Sequence, residues 1–113
     1  SPHNPTGRVW ERWELEKAME LFKKHDVYVV SDEIWSDLIL GENKHIPTQM
    51  ISEDARNRTV AMYAPSKTFN LAGLQTSNLF VPNPALREKL RSVLNGLEKE
   101  GTCQKPKSEK EAF

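Results

Sequence analysis

Cysteine is almost absent from this 113-residue chain: Cys103 stands alone, which excludes an internal disulfide and a zinc site built on cysteines. Long apolar runs are absent too, and nothing approaches the roughly 20 residues needed to cross a bilayer, so no membrane partner is expected. Charge of one sign is not in excess, because 16 basic and 16 acidic side chains cancel. That balance gives no electrostatic reason to expect a nucleic acid or a membrane surface as partner. His3, His25 and His45 lack metal-ligand spacing, so no metal is expected. The opening Ser1-Pro2-His3-Asn4-Pro5 has neither the basic nor the apolar region of a secretory leader, and no Met begins it. We read the chain as starting inside a longer protein, and a reducing cytoplasm as its location.

What is present has an alternating order. Asn4-Pro5 and Thr6-Gly7 mark residues 1–9 as a loop. Leu15, Ala18, Met19 and Phe22 then fall on one face of a helix running from about Glu11 to His25, with Lys23, Lys24 and His25 at its negative end. Glu11 stands at its start, where Ser or Thr would cap better. The continuous run Val27-Tyr28-Val29-Val30 predicts a strand buried on both faces, as in a parallel sheet. Residues 41–58 read as mostly loop with one helical turn at most. Thr59–Tyr63 and Leu79–Val81 are two further strands. Asn83 and Pro84 announce a final helix with a stripe of Leu86, Leu90, Val93, Leu94 and Leu97, which Gly101 is placed to end. A domain over 1–101 and a charged, disordered tail over 102–113 are expected. Helix, strand, strand and helix make an α/β fold: a partial three-layer sandwich with a mainly parallel sheet. Ligands gather at the carboxyl ends of strands in such folds.

Two polar clusters sit at those strand ends, Ser31-Asp32-Glu33-Ile34 and Ser66-Lys67-Thr68-Phe69-Asn70, and His3-Asn4-Pro5-Thr6-Gly7 precedes them. Each has a bland reading alone. Asn-Pro-Thr-Gly makes a good turn, Asp32 could cap a following helix, and Lys67 is one of ten lysines. The three together, in this order and at these separations, are harder to explain as structure alone.

Over Ser1 to about Leu97 the sequence resembles the fold-type-I pyridoxal phosphate (PLP) enzymes, the aminotransferase class I/II superfamily, and within it the cystathionine β-lyase-like C–S lyases. The stretches that carry the resemblance are PHNPTGRV (2–9), VVSDEIWSDL (29–38) and APSKTFNLAGLQTS (64–77). It implies an internal piece of the PLP-binding large domain. It also implies Lys67 as the catalytic residue, forming a Schiff base with the cofactor and later acting as base at Cα, for which its amine must lose a proton. Asp32 is implied as partner of the pyridine nitrogen, Asn4 and Trp35 as contacts to the ring 3′ oxygen, and Ser66 as a phosphate contact. Trp35 departs from the Tyr or His of many relatives, and an indole N–H can donate but not accept. Gln75 stands where many aminotransferases carry a phosphate-binding arginine, which the lyase-like group also commonly lacks.

The implied reaction is α,β-elimination on a sulfur amino acid, giving pyruvate, ammonia and a thiol. Amino-group transfer with the same cofactor is the alternative within the family. An inactive remnant, or the effector domain of an aminotransferase-like transcription regulator, is the alternative of another class. The resemblance further implies a homodimer for the full-length parent, a small amino acid as its substrate, and little or no turnover by this chain alone.

Overall fold

The computed structural model describes residues 1–99, and the expected Gly101 helix stop and the tail over 102–113 lie outside them. Helix α1 spans Arg12–Lys24 and buries Met19, at the centre of the predicted apolar stripe. Its start is secured by Glu14, three residues in, whose carboxylate accepts the Glu11 N–H at 2.9 Å and also pairs with Arg8 at 2.6 Å. The helix ends by unwinding: Asp26 adopts φ 50°, and the Val27 N–H returns to the Phe22 carbonyl at 2.9 Å.

That ending displaces the first strand. Val27 and Tyr28 leave the helix instead of entering the sheet, and β1 is Val29–Asp32. After it come a 3₁₀ turn at Thr48–Met50, helix α2 at Glu53–Arg58 and strand β2 at Thr59–Tyr63. Helix α3 is Pro65–Thr68, strand β3 is Asn78–Phe80 and helix α4 is Pro84–Lys99. Where one helical turn was expected in a loop, α2 runs for six residues. Ser52 caps it, its hydroxyl accepting the Ala55 N–H at 3.0 Å, and Asp54 holds Arg58 one turn on at 2.7 Å. Arg58 also donates to the Val27 carbonyl at 2.9 Å, fastening α2 to the entrance of β1.

The sheet has the order β1-β2-β3, with β1 parallel to β2 and β3 antiparallel to β2. The expected parallel pair is therefore present, and the short third strand reverses direction. The register sets Val29 beside Thr59 and Ser31 beside Ala61, so these four share one face, and Tyr63 follows on it. Val30, Asp32, Val60 and Met62 share the other. The first face is covered by the segment around Thr48, whose hydroxyl meets Ser31 at 2.8 Å, and there Thr59 and Ala61 are wholly buried. On the second face Val30 is 66% exposed, so the strand is not buried on both sides as its apolar run suggested. It is an edge strand of the three, paired with β2 alone.

The chain forms two compact units, Ser1–Asn83 and the part from Pro84 onward. In the second, α4 presents Leu86, Leu90 and Leu94 as its less exposed apolar positions, while Val93 and Leu97 stand exposed.

One buried group in β2 is unsatisfied. Thr59 is fully enclosed, yet its Oγ1 has no hydrogen-bond partner among the described residues. Thr59→Val removes that hydroxyl, keeps the shape and suits a strand. It is expected to raise stability by about 1 kcal/mol in urea unfolding. A loss of similar size would show that the hydroxyl has a partner after all.

Candidate active site

The carboxyl ends of β1 and β2 lie side by side, with Asp32 opposite Met62. Strand alternation sends Asp32 and Glu33 to opposite sides, and their surroundings differ accordingly. Asp32, on the open face, is exposed, and its Oδ1 accepts the Ile34 N–H at 3.1 Å. This bond opens a turn over 34–37 instead of the helix considered for this stretch. Asp32 makes no salt bridge among the described residues.

The N-terminal loop meets Asp32 from the side. The Ser1 nitrogen donates to the Asp32 carbonyl at 3.0 Å, and the Ser1 hydroxyl accepts the Trp10 N–H at 3.1 Å. The loop is closed by a Gly7 N–H to His3 carbonyl bond of 2.7 Å, with Gly7 at φ 71°, a conformation that favours glycine. Asn4, on the bend, lines a cavity of about 170 Å³ together with Trp35, Leu38 and Pro2. Its amide has no internal partner among the described residues.

Lys67 occupies the last turn of α3, directly after β2. It is exposed, makes no salt bridge among the described residues, and holds its Nζ 5.7 Å from the centre of the Trp35 ring. A cation over an indole face is attracted by the ring quadrupole. Asn4, Trp35 and Lys67 therefore form one continuous group, with Asp32 three residues from Trp35. Ser66 is half-buried beside Lys67 and lines neither cavity. Gln75 is exposed in a left-handed conformation, φ 50°, and also lines neither.

The covered face holds what the sequence did not reveal. Glu33 is 1% exposed and its carboxylate is the hub of a polar network. Its Oε1 accepts the Ser31 hydroxyl at 2.9 Å and the Thr48 N–H at 3.0 Å. Its Oε2 meets the His45 Nε2 at 2.8 Å and accepts the Tyr63 hydroxyl. Burial pushes the Glu33 carboxyl up, but bonds from His45, Tyr63, Thr48 and Ser31 outweigh it and hold the pKa at about 2. Burial first, then the same carboxylate, push the Tyr63 phenol well above its ordinary value, so it stays protonated and donates. A cavity of about 230 Å³ opens beside Glu33 and Tyr63, bounded by Pro65, Phe69 and Asn78. A second tie, from the Thr68 hydroxyl to Asp37 at 2.9 Å, joins the Lys67 helix to the turn after Asp32. The alternation Val29, Ser31, Glu33 was the available signal for the buried face, though it names none of the distant partners.

Known proteins resemble the chain over most of its length. The family model for aminotransferase class I and II matches residues 1–98. The chain is 50% identical over 99 residues to cystathionine beta-lyase PatB of Bacillus subtilis, covering 86% of this chain and 26% of that protein. It is 38% identical over 96 residues to protein MalY of Escherichia coli, covering 85% and 24%. The crystal structure of cystalysin from Treponema denticola, which contains a pyridoxal 5'-phosphate cofactor, superposes with a TM-score of 0.84 at 39% identity, covering 96% of this chain and 26% of that one. The fold is thus part of the fold-type-I α/β architecture. The chain spans about a quarter of the length of the relatives it matches. With its strand-end aspartate, its lysine after the neighbouring parallel strand and a family match over 98 residues, the chain belongs to the aminotransferase class I and II family.

Proposed function

We propose that this chain is the cofactor-holding part of a longer PLP-dependent carbon–sulfur lyase that cleaves a small sulfur amino acid by α,β-elimination. One observation carries the reading. Among the described residues the Lys67 amine makes no salt bridge and lies over Trp35, beside the strand end where the Asp32 carboxylate makes none either. The residues present suit PLP: an exposed amine at Lys67, an exposed carboxylate at Asp32, and a carboxamide at Asn4 and an indole N–H at Trp35 on one cavity. The 50% identity to a cystathionine beta-lyase favours elimination over amino-group transfer, the second reading, which the family's transaminases support.

When bound, PLP supplies an electron sink for the pair left on the substrate Cα. Lys67 would hold the cofactor through Nζ, and the same nitrogen would serve as the base for the Cα proton. The Asp32 carboxylate keeps the pyridine nitrogen protonated. Asn4 donates through its amide to the ring oxygen, Trp35 offers its N–H to the same edge, and Ser66 donates its hydroxyl to the phosphate. No helix among the described residues is long and apolar enough to cross a membrane. The working enzyme is read as a cytoplasmic homodimer.

The test is spectroscopic. The full-length parent loaded with PLP is expected to show the visible band of lysine-bound cofactor, and Lys67→Ala to lose it. A band unchanged in that variant removes Lys67 from the site. Pyruvate released from cystathionine without a keto-acid acceptor supports the lyase, and a strict need for the acceptor supports the transaminase.

A further inference from the structure

The two residues that act on the cofactor are carried by different segments, and both are exposed with few bonds of their own. Among the described residues the Asp32 side chain has one hydrogen bond, and Lys67 has only its approach to Trp35. Neither can fix its distance from the other. The backbone that carries them is fixed elsewhere. Glu33, the neighbour of Asp32, and Tyr63, four residues before Lys67, meet through a carboxylate–phenol hydrogen bond on the covered side of the sheet. The Glu33 N–H also donates to the Met62 carbonyl at 2.9 Å, so main chain and side chain bridge the same two strand ends. The Tyr63 ring is itself set edge-on against Phe80 of β3, with 5.4 Å between centroids. The Thr48 N–H and His45 Nε2 also hold the carboxylate, at 3.0 Å and 2.8 Å.

A carboxylate buried at this cost of desolvation is not needed for packing alone. An apolar side chain of similar volume fills such a place with less penalty. What a carboxylate adds is direction: four donors from four separate places can converge on it in one geometry. Resting on the PLP reading above, we propose that Glu33, clamped by Tyr63, is a positioning residue that sets the separation and orientation of Asp32 and Lys67 on the opposite side of the strand ends. It touches neither cofactor nor substrate.

The experiment uses the full-length holoenzyme with Glu33→Gln and Tyr63→Phe. Tyr63→Phe deletes one hydroxyl and keeps the ring that packs on Phe80, so it decides the matter if Glu33→Gln does not fold. Both variants are expected to retain PLP. The pH midpoint of the visible band moves, because it reads the surroundings of the lysine-bound nitrogen. The kcat falls about ten- to a hundredfold with KM close to that of the parent, as for a small misplacement of reacting groups. A lower melting temperature combined with an unchanged band midpoint and unchanged kcat overturns the proposal and leaves Glu33 a stability residue. Lys67→Ala separates this from failure of the PLP reading. A band that survives it overturns the cofactor assignment and this inference together. A band lost there, with unaltered Glu33 and Tyr63 variants, overturns this inference alone.

Discussion

Asp32→Asn is expected to lower the turnover of the full-length enzyme by roughly a hundred- to a thousandfold while leaving its melting temperature almost unchanged. The substitution separates the two things Asp32 can do. As a turn former it needs only one oxygen, which accepts the Ile34 N–H at 3.1 Å. Asparagine supplies an equivalent oxygen at the same reach, so the turn over 34–37 persists and the stability change stays within about 0.5 kcal/mol. As partner of a protonated pyridine nitrogen Asp32 needs its negative charge, which asparagine lacks. Removing one member of a desolvated charge pair costs about 3–5 kcal/mol, and each 1.36 kcal/mol lost from the transition state is tenfold in rate. Steady-state kinetics beside thermal melting reads both quantities. Unchanged kcat would reduce Asp32 to its turn, and a large fall in melting temperature would mean that the charge is structural.

The sequence showed the scaffold of this site better than its supports. Strand β2 occupies the residues expected, since Thr59–Tyr63 is a β-branched and aromatic run bounded by Arg58 and Ala64. Helix α1 begins and ends within a residue of the reading from its 3.6 period. Strand β1 was displaced by two because the end of α1 takes up Asp26 and Val27 through backbone bonds, a tertiary choice that no β propensity reports. Helix α2 was hidden by its six-residue length and by Asn43 and Pro47 before it, although Ser52 was a legible cap. The roles proposed for Asn4, Asp32, Trp35 and Lys67 rest on the resemblance of their motifs, and the fold sets these residues at a strand end or in turns. The Glu33 hub was not, because its donors come from residues 31, 45, 48 and 63. Alternation along β1 tells which face Glu33 takes. Only the folded chain tells what waits there.

The energetic weight of that hub gives the second large effect: Glu33→Gln is expected to cost about 3 kcal/mol of stability at neutral pH and almost nothing at pH 2. The carboxyl has its folded pKa held down at about 2, against an ordinary 4.5, because its hydrogen bonds outweigh its burial. A group whose pKa is depressed on folding adds stability that is fully present above the unfolded value and drains away as pH falls through the folded one. The window is therefore pH 4.5 down to about 2, and a separation of that width corresponds to about 3 kcal/mol. Glutamine imitates the protonated acid: it keeps one acceptor but turns an N–H₂ toward Tyr63 and His45. Urea unfolding of the unsubstituted protein and the variant across this window should give two curves of stability against pH that converge as the pH drops, with a gap of about 3 kcal/mol at pH 7. Parallel curves with a constant gap would mean that size or shape, not charge, fills the place. Convergence would establish that the fold holds Glu33 as a carboxylate, which four convergent donors require and an apolar neighbour of the same volume could not provide.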